Sequence, residues 1–128
     1  MKLVMNPQAY HIIVAPNLYG DILSDLAAGL VGGLGLAPSA NIGHDAAIFE
    51  PVHGSAPDIA NQNIANPLAT VLAGSMMLAH LGDSKGATLM EEAVFWALAN
   101  NKVTPDLGGN LSTSQVGTAL IGYLEGRV

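Results

Sequence analysis

The chain has 128 residues, which is long enough for one domain with a hydrophobic core or for one piece of a larger domain. Its formal net charge is −6 and it carries only four basic side chains, so it cannot neutralise a run of phosphates, and we expect no nucleic-acid partner. Half of the residues are hydrophobic and only 11% are charged. This composition predicts that another chain or segment covers part of the surface.

The sequence contains no cysteine, which excludes disulfides, thiolate metal sites and thiol nucleophiles. The first residues lack the charged-then-apolar pattern of a signal peptide. No apolar run approaches the ~20 residues that span a bilayer. We therefore expect no membrane partner and a cytoplasmic location, with the mitochondrial matrix as the alternative.

The first half of the chain predicts two strands and one helix. Residues 11–15 form a short apolar run rich in β-branched residues, which predicts a buried strand that needs neighbours in a sheet. Residues 20–31 carry apolar side chains at helical spacing, and Gly32-Gly33 marks the end of that helix. Residues 35–43 predict a turn-rich connection, and residues 46–49 a second short strand.

The second half predicts three helices. The first begins at Asn66-Pro67, as an N-cap followed by proline, and continues to Gly82. The second covers about residues 83–101. After a turn at residues 104–109, Ser112 and Gln115 have the spacing of a capping box at the start of the last helix.

Asp21 and Asp25 are candidate metal ligands. They are four residues apart on the first predicted helix, so their carboxylates share one face, about 5–6 Å apart at Cβ. Hard oxygen ligands of this kind suit Mg²⁺ or Mn²⁺. Acidic residues also favour the first turn of a helix, where they interact with its dipole, and the spacing alone leaves both interpretations open.

The long loop at residues 50–66 is a candidate binding site, because loops of this length inside a compact domain are often functional. The loop includes His53 and several small residues, which allow close approach of the backbone to a ligand. If the loop binds a cofactor, its Asp58 could accept hydrogen bonds from ribose hydroxyls and would repel a 2′-phosphate, as acidic residues do in known NAD sites. A surface connection with an incidental histidine is the alternative.

Five segments together closely resemble the isocitrate/isopropylmalate dehydrogenase family: Asn17–Asp25, Val31–Gly43, His53–Asp58, Asn66-Pro67 and Asp106–Gly109. The resemblance covers nearly the whole chain. It implies an α/β fold, the C-terminal portion of the family's fold, with a parallel or mixed sheet flanked by helices. It further implies that about residues 1–35 end the small domain and carry the metal helix, and that about residues 36–128 belong to the large cofactor-binding domain.

The resemblance also implies a reaction and its cofactors. In this family, hydride passes from a 2-hydroxy acid to a nicotinamide, and a divalent metal stabilises the enolate left by loss of CO₂. The expected cofactors are NAD and Mg²⁺ or Mn²⁺. Asp21 and Asp25 match the family's metal-binding acids. The residues that match the cofactor site are His53, Gly54, Ser55, Ala56, Asp58, Ile59 and Asn66, and, by analogous position, Asp106.

The substrate implied by the resemblance is isocitrate, because residues 32–38 and 41–43 look more like isocitrate dehydrogenases than isopropylmalate dehydrogenases. Homoisocitrate, 3-isopropylmalate and tartrate-type relatives use similar motifs and remain open. Two positions depart from the family pattern: Asn61 replaces a usual glycine, and His11 a common aspartate. Asparagine tolerates left-handed backbone, so Asn61 need not abolish the loop.

The family's substrate-binding serine and arginines, its catalytic tyrosine and lysine and a further metal aspartate match no residue here, so we assign no catalytic residue. No lysine or arginine occurs between Lys2 and Lys85, although a tricarboxylate needs cationic partners. We therefore expect a homodimer or a complementing N-terminal segment, and little activity from the chain by itself. A non-catalytic NAD-binding module and a poorly folding gene remnant are the alternatives.

Overall fold

The computed structural model describes residues 1–127, which form five α-helices and one two-stranded sheet. The helices are α1 (Lys2–Met5), α2 (Asn17–Leu30), α3 (Leu68–His80), α4 (Ser84–Ala99) and α5 (Thr113–Glu125), and the strands are β1 (Pro38–Ile42) and β2 (Ala47–Pro51). The α/β class is confirmed. Val128, the last residue of the expected large-domain part, lies outside the described residues.

The hydrophobic core lies where α3, α4 and α5 meet, and the β1–β2 pair packs on α3. Burial of a leucine or valine side chain contributes about 1.5–3 kcal/mol, so the buried leucines and valines at this contact stabilise the fold. The buried members of the core are Leu68, Ala93, Val94, Ala97, Val103, Val116 and Leu120.

The three helices predicted in the second half are confirmed, and their starts follow from local capping. Ser112 and Gln115 form the predicted capping box: the Ser112 hydroxyl accepts from the Gln115 amide at 3.3 Å, and the Gln115 side chain accepts from the Ser112 amide at 2.9 Å. Helix α3 begins at Leu68, one residue later than expected. The Asn66 side-chain oxygen accepts a hydrogen bond from the Leu68 amide at 3.0 Å.

The sheet differs from the expectation. A parallel or mixed sheet was expected, whereas β1 and β2 of the described residues pair antiparallel, with Ala40 opposite Phe49. Only four residues separate the strands, and parallel pairing would need a crossover of a dozen or more. The prediction of a turn-rich connection is wrong for Pro38–Ile42, because pairing with β2 overrides the weak β-propensity of Ser39 and Asn41.

The strand predicted at residues 11–15 is wrong for the described structure. These residues form no ladder, and Ile12 and Val14 are 85% and 94% exposed. A strand requires a hydrogen-bonded neighbour, and the two described strands pair with each other. Among residues 1–127, no helix combines the length and apolar character needed to cross a bilayer.

Substitution of Gly109 by alanine is expected to destabilise the fold by about 3 kcal/mol. A Cβ there would overlap the main-chain carbonyl of Val103, a core residue whose backbone cannot move freely. The matched control is Gly122→Ala on α5, where no atom lies within 4 Å of the added carbon and a gain of up to about 1 kcal/mol is expected. Urea unfolding followed by circular dichroism measures both changes. Equal stabilities of the two variants would contradict the predicted collision.

Candidate nucleotide-binding cavity

One cavity of about 610 Å³ opens beside the N-terminal end of α3. The loop that follows β2 forms most of its wall, and two 3-10 turns, Leu34–Leu36 and Pro105–Leu107, contribute the rest. This volume is in the usual range for small-molecule sites. The cavity is lined by Leu34, Gly35, His53, Gly54, Ser55, Ala56, Ile59, Ala60, Asn61, Asn63, Ile64, Ala65, Asn66 and Asp106.

A short polar network fixes one side of the cavity. The Asn66 amide donates to the Asp106 carboxylate at 2.9 Å, and the fully buried Thr104 hydroxyl donates to its other oxygen. Asn66 also uses its side-chain oxygen to accept from the Leu68 amide. Because both the nitrogen and the oxygen of the Asn66 amide group have a partner, its orientation is set by the protein before any ligand arrives.

Gly35 allows this network to form. A Cβ at that position would lie 2.8 Å from the Asn66 amide nitrogen and 3.1 Å from an Asp106 oxygen. Any side chain would therefore push the pair apart. The glycine-rich segment after α2 thus has a packing role at the cavity, and the absence of a side chain at Gly35 is required by this close approach.

The loop holds three non-glycine residues in the left-handed region: Ala56 (φ 42°), Asn61 (φ 63°) and Asn63 (φ 57°). The left-handed backbone of Asn61 agrees with the expectation that asparagine can replace glycine there. The Gln62 side chain donates to the Asp58 carbonyl at 2.7 Å, and a His53 ring nitrogen lies 3.0 Å from the Gly54 carbonyl oxygen. Local hydrogen bonds therefore support a backbone path that is unfavourable for Ala56 and tolerated by the two asparagines.

The cavity brings together seven of the eight residues that match the family's cofactor site: His53, Gly54, Ser55, Ala56, Ile59, Asn66 and Asp106. The eighth, Asp58, is exposed and lies in the 3-10 turn Pro57–Ile59, next to the cavity-lining Ile59. The structure thus gathers the predicted residues, and their role in binding a nucleotide stays a prediction.

Several lining residues were not singled out as site residues from the sequence. Asn63, Ile64 and Ala65 belong to the suspected loop, and their position beside Asn66 was the available signal. Leu34 and Gly35 come from a segment that is distant in sequence. No local pattern places that segment against the loop, so tertiary structure was needed to find it.

The predicted metal ligands Asp21 and Asp25 lie one turn apart on α2, and both are exposed. The Ser24 hydroxyl donates to the Asp21 main-chain carbonyl, so this hydrogen bond involves neither of the two carboxylates. Within residues 1–127, no group of three or more histidine, aspartate or glutamate side chains could hold a metal ion. The donor chemistry suits a hard divalent cation, but these two carboxylates are only part of a ligand set.

Comparison with known proteins gives a consistent result. The family model described as isocitrate/isopropylmalate dehydrogenase matches residues 1–120. The homoisocitrate dehydrogenase of Methanocaldococcus jannaschii is 54% identical over 125 residues, which are 98% of this chain and 36% of that protein. The 3-isopropylmalate dehydrogenase of Methanothermobacter thermautotrophicus is 55% identical over 125 residues, 98% of this chain and 38% of that protein.

The crystal structure of isocitrate dehydrogenase from Methylococcus capsulatus matches with a TM-score of 0.93 and 52% identity, covering 97% of this chain and 38% of that chain. The chain thus spans little more than a third of the length of the relatives it matches. With a family match over residues 1–120 and relatives more than half identical, the chain belongs to the isocitrate/isopropylmalate dehydrogenase family.

Proposed function

We propose that this chain supplies the adenosine side of an NAD site and part of a divalent-metal site in an oxidoreductase that converts isocitrate to 2-oxoglutarate by oxidative decarboxylation. The observation that carries the proposal is the cavity, because seven residues that match the family's cofactor site line it. NAD, when bound, supplies the hydride acceptor for oxidation of the hydroxyl-bearing carbon.

The chemistry of the lining suits a nucleoside. Ile59 and Ile64 offer apolar surface to a flat base, while Asn66 and Asp106 offer polar atoms whose positions are already fixed. Small-molecule sites combine these same features, a mainly apolar wall and a few oriented polar groups. Gly54 leaves open space where a side chain would stand, since no atom lies within 4 Å of an added Cβ. A ligand could therefore approach the backbone there.

Asp58 would select NAD over NADP. Asp58 is exposed and directly precedes the cavity-lining Ile59 in the chain, and from there its carboxylate could accept hydrogen bonds from ribose hydroxyls. A 2′-phosphate at the same place would bring two negative charges together. The residues that line the cavity include no lysine or arginine to bind that phosphate.

Asp21 and Asp25 would hold Mg²⁺ or Mn²⁺ together with oxygen ligands from the substrate, from water and from another chain or segment. The bound cation supplies Lewis-acid chemistry for the loss of CO₂. Two carboxylates on adjacent helical turns repel each other in the absence of a cation, so a cation between them relieves that repulsion.

The choice of isocitrate rests on the resemblance of residues 32–38 and 41–43 to isocitrate dehydrogenases. Homoisocitrate and 3-isopropylmalate, which appear in the names of relatives of equal similarity, stand as the alternative substrates, with a tartrate-type acid as a further one. All of these substrates carry at least two carboxylates and need cationic partners. The chain's four basic residues are Lys2, Lys85, Lys102 and Arg127.

These basic residues are poorly suited to bind the substrate. No ion pair of the described residues joins one of them to Asp21 or Asp25, where the substrate would meet the metal, and the Arg127 guanidinium lies 3.6 Å from the centre of the Tyr123 ring and donates to the Tyr123 carbonyl at 3.3 Å. We therefore propose that the substrate's cationic partners come from a second copy of the chain or from a complementing N-terminal segment. A non-catalytic NAD-binding module remains the alternative for the chain by itself.

The surface of α2 supports an assembly of this kind. Its side chains Leu18, Tyr19 and Ile22 are 66%, 61% and 57% exposed, and its main contact within the described residues is the turn at Leu34–Leu36. Exposed apolar surface along a helix marks an interaction site.

We propose that residues 1–35 belong to the small domain and the rest to the large domain. We also propose that the protein acts in the cytoplasm or the mitochondrial matrix.

The purified chain is expected to bind NADH saturably, and Asn66→Ala is expected to weaken binding about tenfold. The substitution removes the bond to Asp106 and the cap on Leu68 together, and each hydrogen bond contributes about 0.5–1.5 kcal/mol. Fluorescence titration with NADH measures the dissociation constants. The control is Asn100→Ala, whose side chain bonds only to the Trp96 carbonyl at the end of α4. Absence of saturable binding would overturn the proposed site.

Substitution Asp58→Ala is expected to shift the preference between NADH and NADPH by roughly tenfold or more towards NADPH. The change removes the acceptor for the ribose hydroxyls and the repulsion of a 2′-phosphate. Asp45→Ala, at an exposed carboxylate in the β1–β2 connection, serves as the matched control for the loss of one charge. If the ratio of the two dissociation constants stays the same in both variants, Asp58 does not contact the ribose.

The chain by itself is expected to form no NADH above background when isocitrate, homoisocitrate or 3-isopropylmalate is offered with NAD and Mn²⁺. The physical reason is the scarcity of cationic partners, since the chain has four basic residues and no ion pair of the described residues joins one of them to Asp21 or Asp25. Absorbance of NADH measures the rate. Turnover of one acid would identify the substrate and would show that one of the four basic residues serves it. Turnover with added substrate but without any metal would count against the role proposed for the two aspartates.

A further inference from the structure

The N-terminus of α5 obtains part of its capping from the cavity loop. The first amides of a helix have no partner within the helix. In α5, the capping box satisfies Gln115, while the amides of Thr113 and Ser114 point to the loop. The partner of both is Asn63: its carbonyl accepts from the Thr113 amide at 2.9 Å, and its side-chain oxygen accepts from the Ser114 amide at 3.1 Å.

The same asparagine also donates. Its side-chain nitrogen lies 2.9 Å from the Ser114 hydroxyl, so the amide group of Asn63 and the residue Ser114 form two reciprocal hydrogen bonds. The Thr113 hydroxyl adds a bond to the Ala65 carbonyl, two residues further along the loop. We call this set of contacts between Asn63 and Ala65 of the loop and Thr113 and Ser114 of α5 the Asn63 latch.

The latch lies directly behind the cavity wall. Asn63, Ile64 and Ala65 all line the cavity, and the latch fixes the carbonyls of the first and the last of them. Asn63 holds a left-handed backbone at φ 57°, which gives its carbonyl and its side chain access to consecutive amides of α5. The latch joins residues 51 positions apart in the chain, so it is a tertiary contact rather than a local turn.

We propose that Asn63 is a positioning residue: through the latch it holds the loop wall in the conformation that receives the nucleotide, and it thereby transmits the rigidity of α5 to the binding site. This inference rests on the proposed function. Ordering a loop before binding removes an entropic cost that the ligand would otherwise bear. The latch therefore acts on nucleotide affinity although the side-chain bonds of Asn63 go to α5.

The test compares Asn63→Gly, Ser114→Ala and the double variant. Glycine keeps the left-handed backbone accessible and removes the side chain, and the capping box of α5 stays intact. Asn101→Gly is the matched control, because Asn101 has φ 52° and is exposed beyond the end of α4. We expect Asn63→Gly to weaken NADH binding about tenfold, Ser114→Ala roughly threefold, and the control to leave it unchanged.

The double variant shows whether the two residues act together. If they form one latch, the double variant binds NADH no more weakly than Asn63→Gly alone, because the hydroxyl of Ser114 has then already lost its hydrogen bond from the loop and keeps only its contact with the Ser112 hydroxyl. Additive losses, or an Asn63→Gly variant that binds as tightly as the unmodified chain, would overturn the proposal. A decrease in thermal stability by itself would not produce this pattern of non-additive affinities.

Hydrogen exchange without nucleotide separates this proposal from the proposed function. In Asn63→Gly, the amide of Ser114 and those of residues 59–65 are expected to exchange at least severalfold faster, while α4 keeps its protection. If the unmodified chain binds no NADH, the nucleotide assignment fails. The exchange pattern alone then tests whether the latch orders the cavity wall. Unchanged exchange in the loop of Asn63→Gly would show that the latch does not order the cavity wall.

Discussion

The hydrogen bond between the Asn66 amide and the Asp106 carboxylate joins segments 40 residues apart at the edge of the helical core. On one side of this bond, Asn66 caps the first amide of α3. On the other side, Asp106 accepts from the fully buried Thr104 hydroxyl and so is tied to the core. The start of a core helix and one wall of the cavity therefore depend on the same pair of side chains, and Gly35 leaves the space they need.

The cavity loop is held at both of its ends and in its middle by different means. The β1–β2 pair, which packs on α3, fixes its start, and the Asn66 contacts fix its end. Between them, the contacts of Asn63 with Thr113 and Ser114 join the loop to α5. Ordering a loop costs conformational entropy, and these contacts offset that cost. The loop is thus held by α3 and α5, two of the three helices that form the core.

The N-terminal part of the chain follows a different principle. Helix α2 carries the two aspartates and an exposed apolar surface, and among its residues Ala28 alone is buried. Its amphipathic pattern is strong enough to predict a helix, yet the described residues provide little for that pattern to pack against. Three segments of the described residues form the walls of the cavity, whereas the aspartate pair is not a complete ligand set there. The two sites differ physically because several segments of the fold surround the cavity, whereas few described residues pack around the aspartates on α2.

The sequence by itself determined the features that local chemistry controls. Capping residues and apolar spacing predicted α3, α4 and α5, and glycines at 32 and 33 predicted the end of α2. The family motifs also predicted half of the residues that line the cavity. Asn61 was expected to tolerate a left-handed backbone and does so, because that preference belongs to the residue itself.

Only the tertiary structure decided the pairing and the long-range contacts. The apolar run at residues 11–15 has the composition of a strand but finds no partner among the described residues, whereas the less typical Pro38–Ile42 becomes a strand because β2 lies beside it. Likewise, nothing in the sequence near Asn63 indicates Ser114, and nothing near Gly35 indicates Asp106. Strand formation and cavity walls depend on partners distant in sequence, so the local pattern could specify the residues but could not specify which of them would meet.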